Sequence, residues 1–406
     1  VAALAAVLRF EFPADALLSR YFREHRELGA HDRAFVAEAV FGVLRKKRLL
    51  DHVTQQGGPR ALLLAWLARV QGLNTREFEA VIRRNDAPLV ARIKAARTDD
   101  LTLAEQAELP TWVVEKFQLN QGIADIHRLG EALAREAPLD LRVNTLKARR
   151  EDVLAQLRAD GFEVQATPYS PWGLRMQGRP AINRHALFVD GTLEVQDEGS
   201  QLLCVLLAPT RHDLVIDFCA GAGGKTLALG AMMGNRGRLY AFDVSPARLR
   251  KLAPRLARSG LSNVHPQAIA NENDIRIKRL SGKADRVLID SPCSGLGTLR
   301  RNPDLKWRQS PQSVAELTQK QTAILAAAAR LVKAGGRVVY ATCSLLAEEN
   351  EGIVEAFLAA HPQFVLTDCG SVLAQQHIAL HTGKCLKLTP HEHGTDGFFG
   401  AVLTRR

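Results

Sequence analysis

The sequence predicts an α/β protein. Its larger C-terminal part reads as an open, doubly wound sheet, preceded by a small α/β segment and an all-helical N-terminal region. Three observations predict this. From about residue 193, apolar strands alternate with helical stretches, the pattern of a parallel sheet with helices on both faces. Residues 1–137 place apolar side chains at spacings of three and four, with little strand-like alternation. The chain has 406 residues, 46% hydrophobic and 24% charged, which is ordinary globular composition and length enough for two or three domains.

Taken in order, Phe35, Val36, Ala39, Val40, Val43 and Leu44 form one face of a helix near 30–52. Gly57-Gly58-Pro59 and Asn85-Asp86-Ala87-Pro88 interrupt the helical pattern. Arg45-Lys46-Lys47-Arg48 reads as a solvated basic face, with RNA contact as the alternative. Pro138 opens a second region, 138–192. There Leu141–Asn144, Phe162–Ala166 and Leu174–Gln177 read as strands, and Glu151–Ala159 as a helix stopped by Gly161. In 193–406 the strands are Leu214–Phe218, Leu239–Val244, Val264–Ala270, Arg286–Asp290, Arg337–Thr342 and Phe398–Leu403. Helices fall near 224–234, 246–259, 313–333 and 347–360. Ligands of such sheets sit outside the carboxyl ends of the strands.

The net charge is +11, and residues 1–140 contribute only +1 of it. An excess of +10 in the remainder suggests a polyanionic partner, nucleic acid above all. No apolar run approaches the about 18 residues a membrane helix needs. Ala2–Leu8 lacks the flanks of a signal peptide, so a cytoplasmic protein without a membrane partner is expected. The chain is also expected to be a monomer. All six cysteines lie in the second half and none forms a Cys-x-x-Cys pair, which excludes zinc-ribbon and dithiol redox motifs. His377, His381, His391 and His393 have no acidic ligand at fixed spacing, so no metal is expected.

A glycine-rich loop, Cys219-Ala220-Gly221-Ala222-Gly223-Gly224-Lys225, follows the first large-domain strand and opens a helix. Cys219 stands where a phosphate-binding Walker loop needs glycine, and Thr226 where the dinucleotide fingerprint needs its third. What remains is a turn whose missing side chains let a ligand approach the backbone. The next strand ends at Asp243, placed to accept both ribose hydroxyls of a nucleoside. Loop and acid together indicate an adenosine-type ligand without a diphosphate, and S-adenosylmethionine fits.

Asp290-Ser291-Pro292-Cys293 ends the fourth strand and Thr342-Cys343-Ser344 the fifth. In sheets of this kind those strands are neighbours, so both thiols are expected to face one pocket. Carbon 5 of cytosine is a poor nucleophile. A thiolate adding at carbon 6 makes it enamine-like and able to take a methyl group from a sulfonium. Asp290 is placed to hydrogen-bond the cytosine N3/N4 edge and favour the charge that develops. From the residues alone, either cysteine could be the one that attacks.

These motifs resemble the RsmB/Sun family of RNA cytosine-C5 methyltransferases. The likeness rests on Cys219–Lys225, Asp290–Cys293, Thr342–Ser344, Leu299-Arg300-Arg301-Asn302-Pro303-Asp304, Asp396-Gly397-Phe398-Phe399, Arg142-Val143-Asn144-Thr145 and Val195-Gln196-Asp197-Glu198, in order over about 140–406. It implies a Rossmann-like methyltransferase domain at 193–406, a small α/β subdomain at 138–192 and a NusB-like helical RNA-binding domain at 1–137. The last rests on His31–Phe35 and Phe41–Arg45. It further implies Cys343 as nucleophile, Cys293 assisting product release, and a donor site of Cys219–Lys225, Asp243 and Asp290. Asn271 stands where the third-strand adenine contact is usually acidic. The implied substrate is 16S ribosomal RNA or an assembly intermediate. Arg300, Arg301, Lys306 and Trp307 combine cations with an aromatic just after Cys293 and are assigned to RNA, together with Arg142.

Two rival classes remain. Amino-group methyltransferases of the same fold carry Asn-Pro-Pro-Tyr where this chain has Asp-Ser-Pro-Cys. A non-catalytic RNA-binding factor would have no use for both thiols and an intact donor loop, and donor binding discriminates it.

Overall fold

A computed structural model describes residues 1–74, 77 and 82–406. The all-helical reading of 1–137 also covers 75, 76 and 78–81, which lie outside the described residues. The chain divides into two compact units: Val1–Glu136 with Thr298–Pro311, and Ala137–Gly297 with Gln312–Arg406.

The first unit is helical among its described residues. Ala30–Arg45, Lys47–Thr54, Pro59–Arg69 and Ala87–Ala95 pack around Trp66, Leu44, Leu50 and Ile93, all buried. The helix expected over 30–52 breaks at Lys46, so two shorter helices present separate apolar faces. Gly42 is required there: a Cβ would lie 2.2 Å from the Trp66 indole nitrogen. Arg45 is buried, pairing with Glu136 at 3.3 Å and donating to the Arg300 carbonyl, so it is neither a solvated face nor an RNA contact.

In the second unit, β1 (Leu139–Val143), β2 (Val164–Ala166), β3 (Gly173–Met176) and β4 (Leu193–Val195) form an antiparallel sheet in the order β2-β3-β1-β4. The helix Arg150–Ala159 covers it through Val153 and Leu157. β4 escapes sequence reading because it is only three residues long. Its pairing with β1 carries the small sheet past the boundary expected at 192.

The large sheet comprises β5 (Leu214–Asp217), β6 (Arg238–Asp243), β7 (Val264–Ala268), β8 (Ala284–Asp290), β9 (Val332–Thr342), β10 (Phe364–Thr367), β11 (Leu386–Leu388) and β12 (Phe398–Arg405). Its order is β10-β12-β9-β8-β5-β6-β7, with β11 on β12. β5 to β9 pair in parallel, and β12 inserts antiparallel beside β9. Alternation is strict enough to build two cores. Val215, Leu288 and Val339 face Glu198–Leu207 and Gly224–Met232, while Ile216, Ile289 and Tyr340 face Pro311–Ala329 and Glu351–Ala360. The order reverses at β5, which places a crevice above the carboxyl ends of β5, β6 and β8.

Candidate active site

A cavity of about 380 Å³ lies at that crevice. Its walls include the glycine loop, Asp217, Asp243, Asp290 and three thiols, Cys219, Cys293 and Cys343. The loop is shaped by Gly221 (φ 57°) and Gly223 (φ 84°), left-handed positions that favour glycine. At Gly223 a Cβ would also lie 2.1 Å from the Leu252 side chain, so a larger residue would have to displace it.

Asp243, 3% exposed, ends β6 and ties the loop down. Its Oδ2 accepts the Gly221 N–H at 2.8 Å and its Oδ1 the Ser245 N–H at 2.7 Å. Each carboxylate oxygen keeps a further lone pair for a ligand hydroxyl. From the other side Arg255 donates to the Ala222 carbonyl at 2.7 Å while pairing with Glu194 of β4 at 2.9 Å. The small sheet thus braces the loop, a link that sequence reading missed because the three residues lie far apart in the chain.

Asp217, at the end of β5, is buried in the same wall. Its Oδ2 accepts the Thr226 hydroxyl at 2.6 Å and its Oδ1 has no hydrogen-bond partner. Burial pushes this carboxyl up to about 7. Sequence reading did not single it out, although its place directly before the loop was a usable signal.

Asp290 Oδ2 accepts from Lys225 Nζ at 2.7 Å. Burial pulls the Lys225 ammonium down, but the attraction and hydrogen bond of Asp290 outweigh it, so the ammonium is held charged. The charge of Cys343 acts on it in the same direction. Cys293 Sγ lies 3.3 Å from Cys343 Sγ. That hydrogen bond, then burial, pushes the Cys293 thiol well up. Cys219 is pushed up by burial and by Asp217, Asp290 and Asp243, which keeps it a neutral wall.

Six expected site residues stand elsewhere. Asn271 does not line the cavity: its Oδ1 accepts the Asn273 N–H at 2.9 Å in a surface turn, and Ile269 and Glu272 take the wall position. Arg142, 2% exposed, does not line the cavity; its Nε donates to Gln196 Oε1 at 2.7 Å, and burial lowers it to about 10. Lys306, 3% exposed, donates to the carbonyls of Glu108 at 2.7 Å and Arg45 at 3.2 Å within the helical unit. Trp307 is half-buried and packs against the core of that unit, Arg300 is buried and Arg301 half-buried. Arg142 and Lys306 therefore direct these donors to partners inside the protein. Among the described residues no group of three or more His, Cys, Asp or Glu side chains is arranged to hold a metal, and no helix is long and apolar enough to cross a membrane.

The reversal of strand order at β5, the glycine loop with Asp243 and the paired thiols define the class as S-adenosylmethionine-dependent methyltransferases. Residues 204–404 match the family described as 16S rRNA methyltransferase RsmB/F, and 109–183 match the ferredoxin-like domain of the same proteins. The chain is 33% identical to the probable ribosomal RNA small subunit methyltransferase B of Synechocystis sp., over 96% of this chain and 95% of that one. It is also 33% identical to the ribosomal RNA small subunit methyltransferase B of Sodalis glossinidius, over 93% and 91%. The crystal structure of the protein PH0851 superposes with a TM-score of 0.80 at 27% identity, covering 99% of this chain and 97% of that one. The chain belongs to the RsmB/F family of ribosomal RNA methyltransferases.

Proposed function

We propose that the chain transfers a methyl group to carbon 5 of a cytosine in 16S ribosomal RNA, through a covalent bond between Cys343 and carbon 6. The observation that carries this is the thiol pair at 3.3 Å in one cavity with the glycine loop and Asp243. The names of the relatives support the RNA.

The residues fit the methyl donor. Asp217 Oδ1 is a buried, unpartnered acceptor on the wall, suited to a cationic ligand, and Asp243 has lone pairs for ribose hydroxyls. When bound, S-adenosylmethionine supplies an electrophilic methyl group. The Cys343 thiolate, within the field of the Lys225 ammonium, adds to carbon 6 and breaks the C5=C6 π bond. Asp290, oriented by Lys225, accepts a hydrogen bond from the cytosine N4 amino group, and the Lys225 ammonium beside it offsets the negative charge that the addition places on the ring. Carbon 5 takes the methyl group with its new electron pair and then loses its proton to solvent. The electrons of that C–H bond re-form C5=C6 and expel the Cys343 sulfur. The Cys293 thiol, held protonated, donates its hydrogen bond to the departing thiolate.

A nucleophile and a release group fail differently. Cys343→Ala abolishes methyl transfer and any adduct. Cys293→Ala still attacks and methylates but releases RNA slowly, so RNA–protein adducts accumulate and survive denaturing gels. Stable adducts in Cys343→Ala would reverse the roles, and full activity in both variants would end the thiol mechanism.

A further inference from the structure

Beneath the thiol pair lies a carboxylate that the mechanism above does not use. Glu349 is completely buried. Its Oε1 accepts the Ser294 N–H and the Gln321 side-chain amide, each at 2.9 Å. Its Oε2 accepts the hydroxyls of Ser294 and Ser344. Ser294 directly follows Cys293, and Ser344 directly follows Cys343. One side chain therefore grips the residue after each thiol, and the two hydroxyls also lie 3.1 Å apart.

The grip is itself anchored. The turn carrying Glu349, Ala347–Glu349, is held by the Tyr340 hydroxyl, which donates to the Glu349 carbonyl at 2.7 Å. The next residue, Asn350, accepts from Thr342 at 2.6 Å and donates to the Ser344 carbonyl at 3.0 Å. Gln321 donates to the Pro292 carbonyl as well, at 3.0 Å, so the helix Pro311–Ala329 joins the same knot. A buried carboxylate is retained only where donors replace its water. Here four donors do, and all but one come from the two thiol loops.

We infer that Glu349 is a positioning residue that sets the spacing of Cys293 and Cys343. β8 and β9 pair only as far as Asp290 and Ala341, so each thiol sits on loop backbone beyond the last paired residue of its strand. Without the shared carboxylate the ladder alone does not fix where the two sulfurs meet. The inference rests on the two-thiol reading for its catalytic meaning, but the spacing is measurable without activity. Glu349 also bears on charge: its carboxylate is among the groups that disfavour ionisation of Cys293.

Phenylarsine oxide reads that spacing directly. Its arsenic binds two thiols at once with loss of one water, and only when the sulfurs are neighbours. Wild-type protein captures it through Cys293 and Cys343, and Cys343→Ala sets the background from the remaining thiols. In Glu349→Ala, shown folded by circular dichroism, capture weakens at least tenfold, kcat for RNA methylation falls at least tenfold, and S-adenosylmethionine affinity is unchanged. Glu349→Asp keeps the charge but shortens the reach by one methylene, and it carries the same test should Glu349→Ala not fold. Glu349→Gln keeps the length and restores capture. Wild-type capture in folded Glu349→Ala or Glu349→Asp overturns the inference. Full activity in Cys343→Ala would defeat the thiol mechanism instead, while arsenical capture would still decide the role of Glu349.

Discussion

Asp217 offers a test in which stability and function move in opposite directions. Burial raises this carboxyl from 3.8 to about 7, with the Thr226 hydroxyl as its hydrogen-bond donor and Oδ1 left alone. That gap is worth about 4 kcal/mol in favour of the protonated form. Between pH 3.8 and about 7 the folded chain holds a proton that the unfolded chain has lost. Its contribution is therefore complete below 3.8 and is lost as the pH rises through about 7. At pH 8 the folded state carries the whole cost of a buried, under-partnered carboxylate. Asp217→Asn keeps an acceptor for Thr226 and cannot ionise. Urea denaturation should find it more stable than wild type at pH 8 by about 1–4 kcal/mol, less whatever its buried amide costs. The gain should shrink by about 2–3 kcal/mol between pH 8 and pH 5, because most of the interval below 7 lies in that range. Calorimetry should show that the same substitution weakens S-adenosylmethionine binding, a stability gain paid in function. A stability difference that does not vary with pH would refute the argument that burial governs this carboxyl.

Three further outcomes follow from the same geometry. Asp243→Ala removes the acceptor for the Gly221 and Ser245 N–H groups and should weaken donor binding by about 1–3 kcal/mol, with calorimetry as the check. Trp307→Ala should destabilise the helical unit by about 1–3 kcal/mol in denaturation experiments while leaving RNA affinity at fixed salt unchanged, since the half-buried ring packs against that core. RNA affinity of the wild type should fall steeply from 50 to 200 mM salt, and a flat titration would remove phosphate contacts from the account.

The large sheet was legible because its signals are local. Strands such as Leu239–Val244 are apolar runs ended by acids, and Pro246–Ser259 announces itself with Ser245 as cap, Pro246 at the first turn and Gly260 beyond. The glycine loop, Asp243 and both thiols share one cavity for the same reason, as each stands at or just past the carboxyl end of a strand. β4, β10 and β11 were missed because three or four residues carry too little pattern. Asn271 misses the cavity by one residue, because it turns back onto Asn273 and Glu272 takes the wall position. Glu349 and Arg255 had no local signal at all. Each acts by holding residues from separate elements, and such partners exist only once the chain is folded.

The cations show the same limit with a larger consequence. Reading Arg142, Arg300, Lys306 and Trp307 as an RNA surface treats charge near a motif as charge facing solvent. In the fold, Lys306 spends its donors on the carbonyls of Arg45 and Glu108, residues about two hundred or more positions away in sequence. Arg142 spends its Nε on Gln196. Burial at that depth lowers Lys306 to about 8 and Arg142 to about 10, the opposite of what a phosphate would do. The positive excess of residues 141–406 must then be expressed by other side chains. Arg248, Arg250 and Lys251 qualify: they are exposed on Pro246–Ser259, and Arg248 also borders the cavity. A helix that begins just past Asp243 and presents cations outward puts positive potential beside the cavity mouth, where a polyanion carrying the target base must approach. Salt dependence should accordingly track these three side chains rather than the motif residues whose charges the protein uses internally.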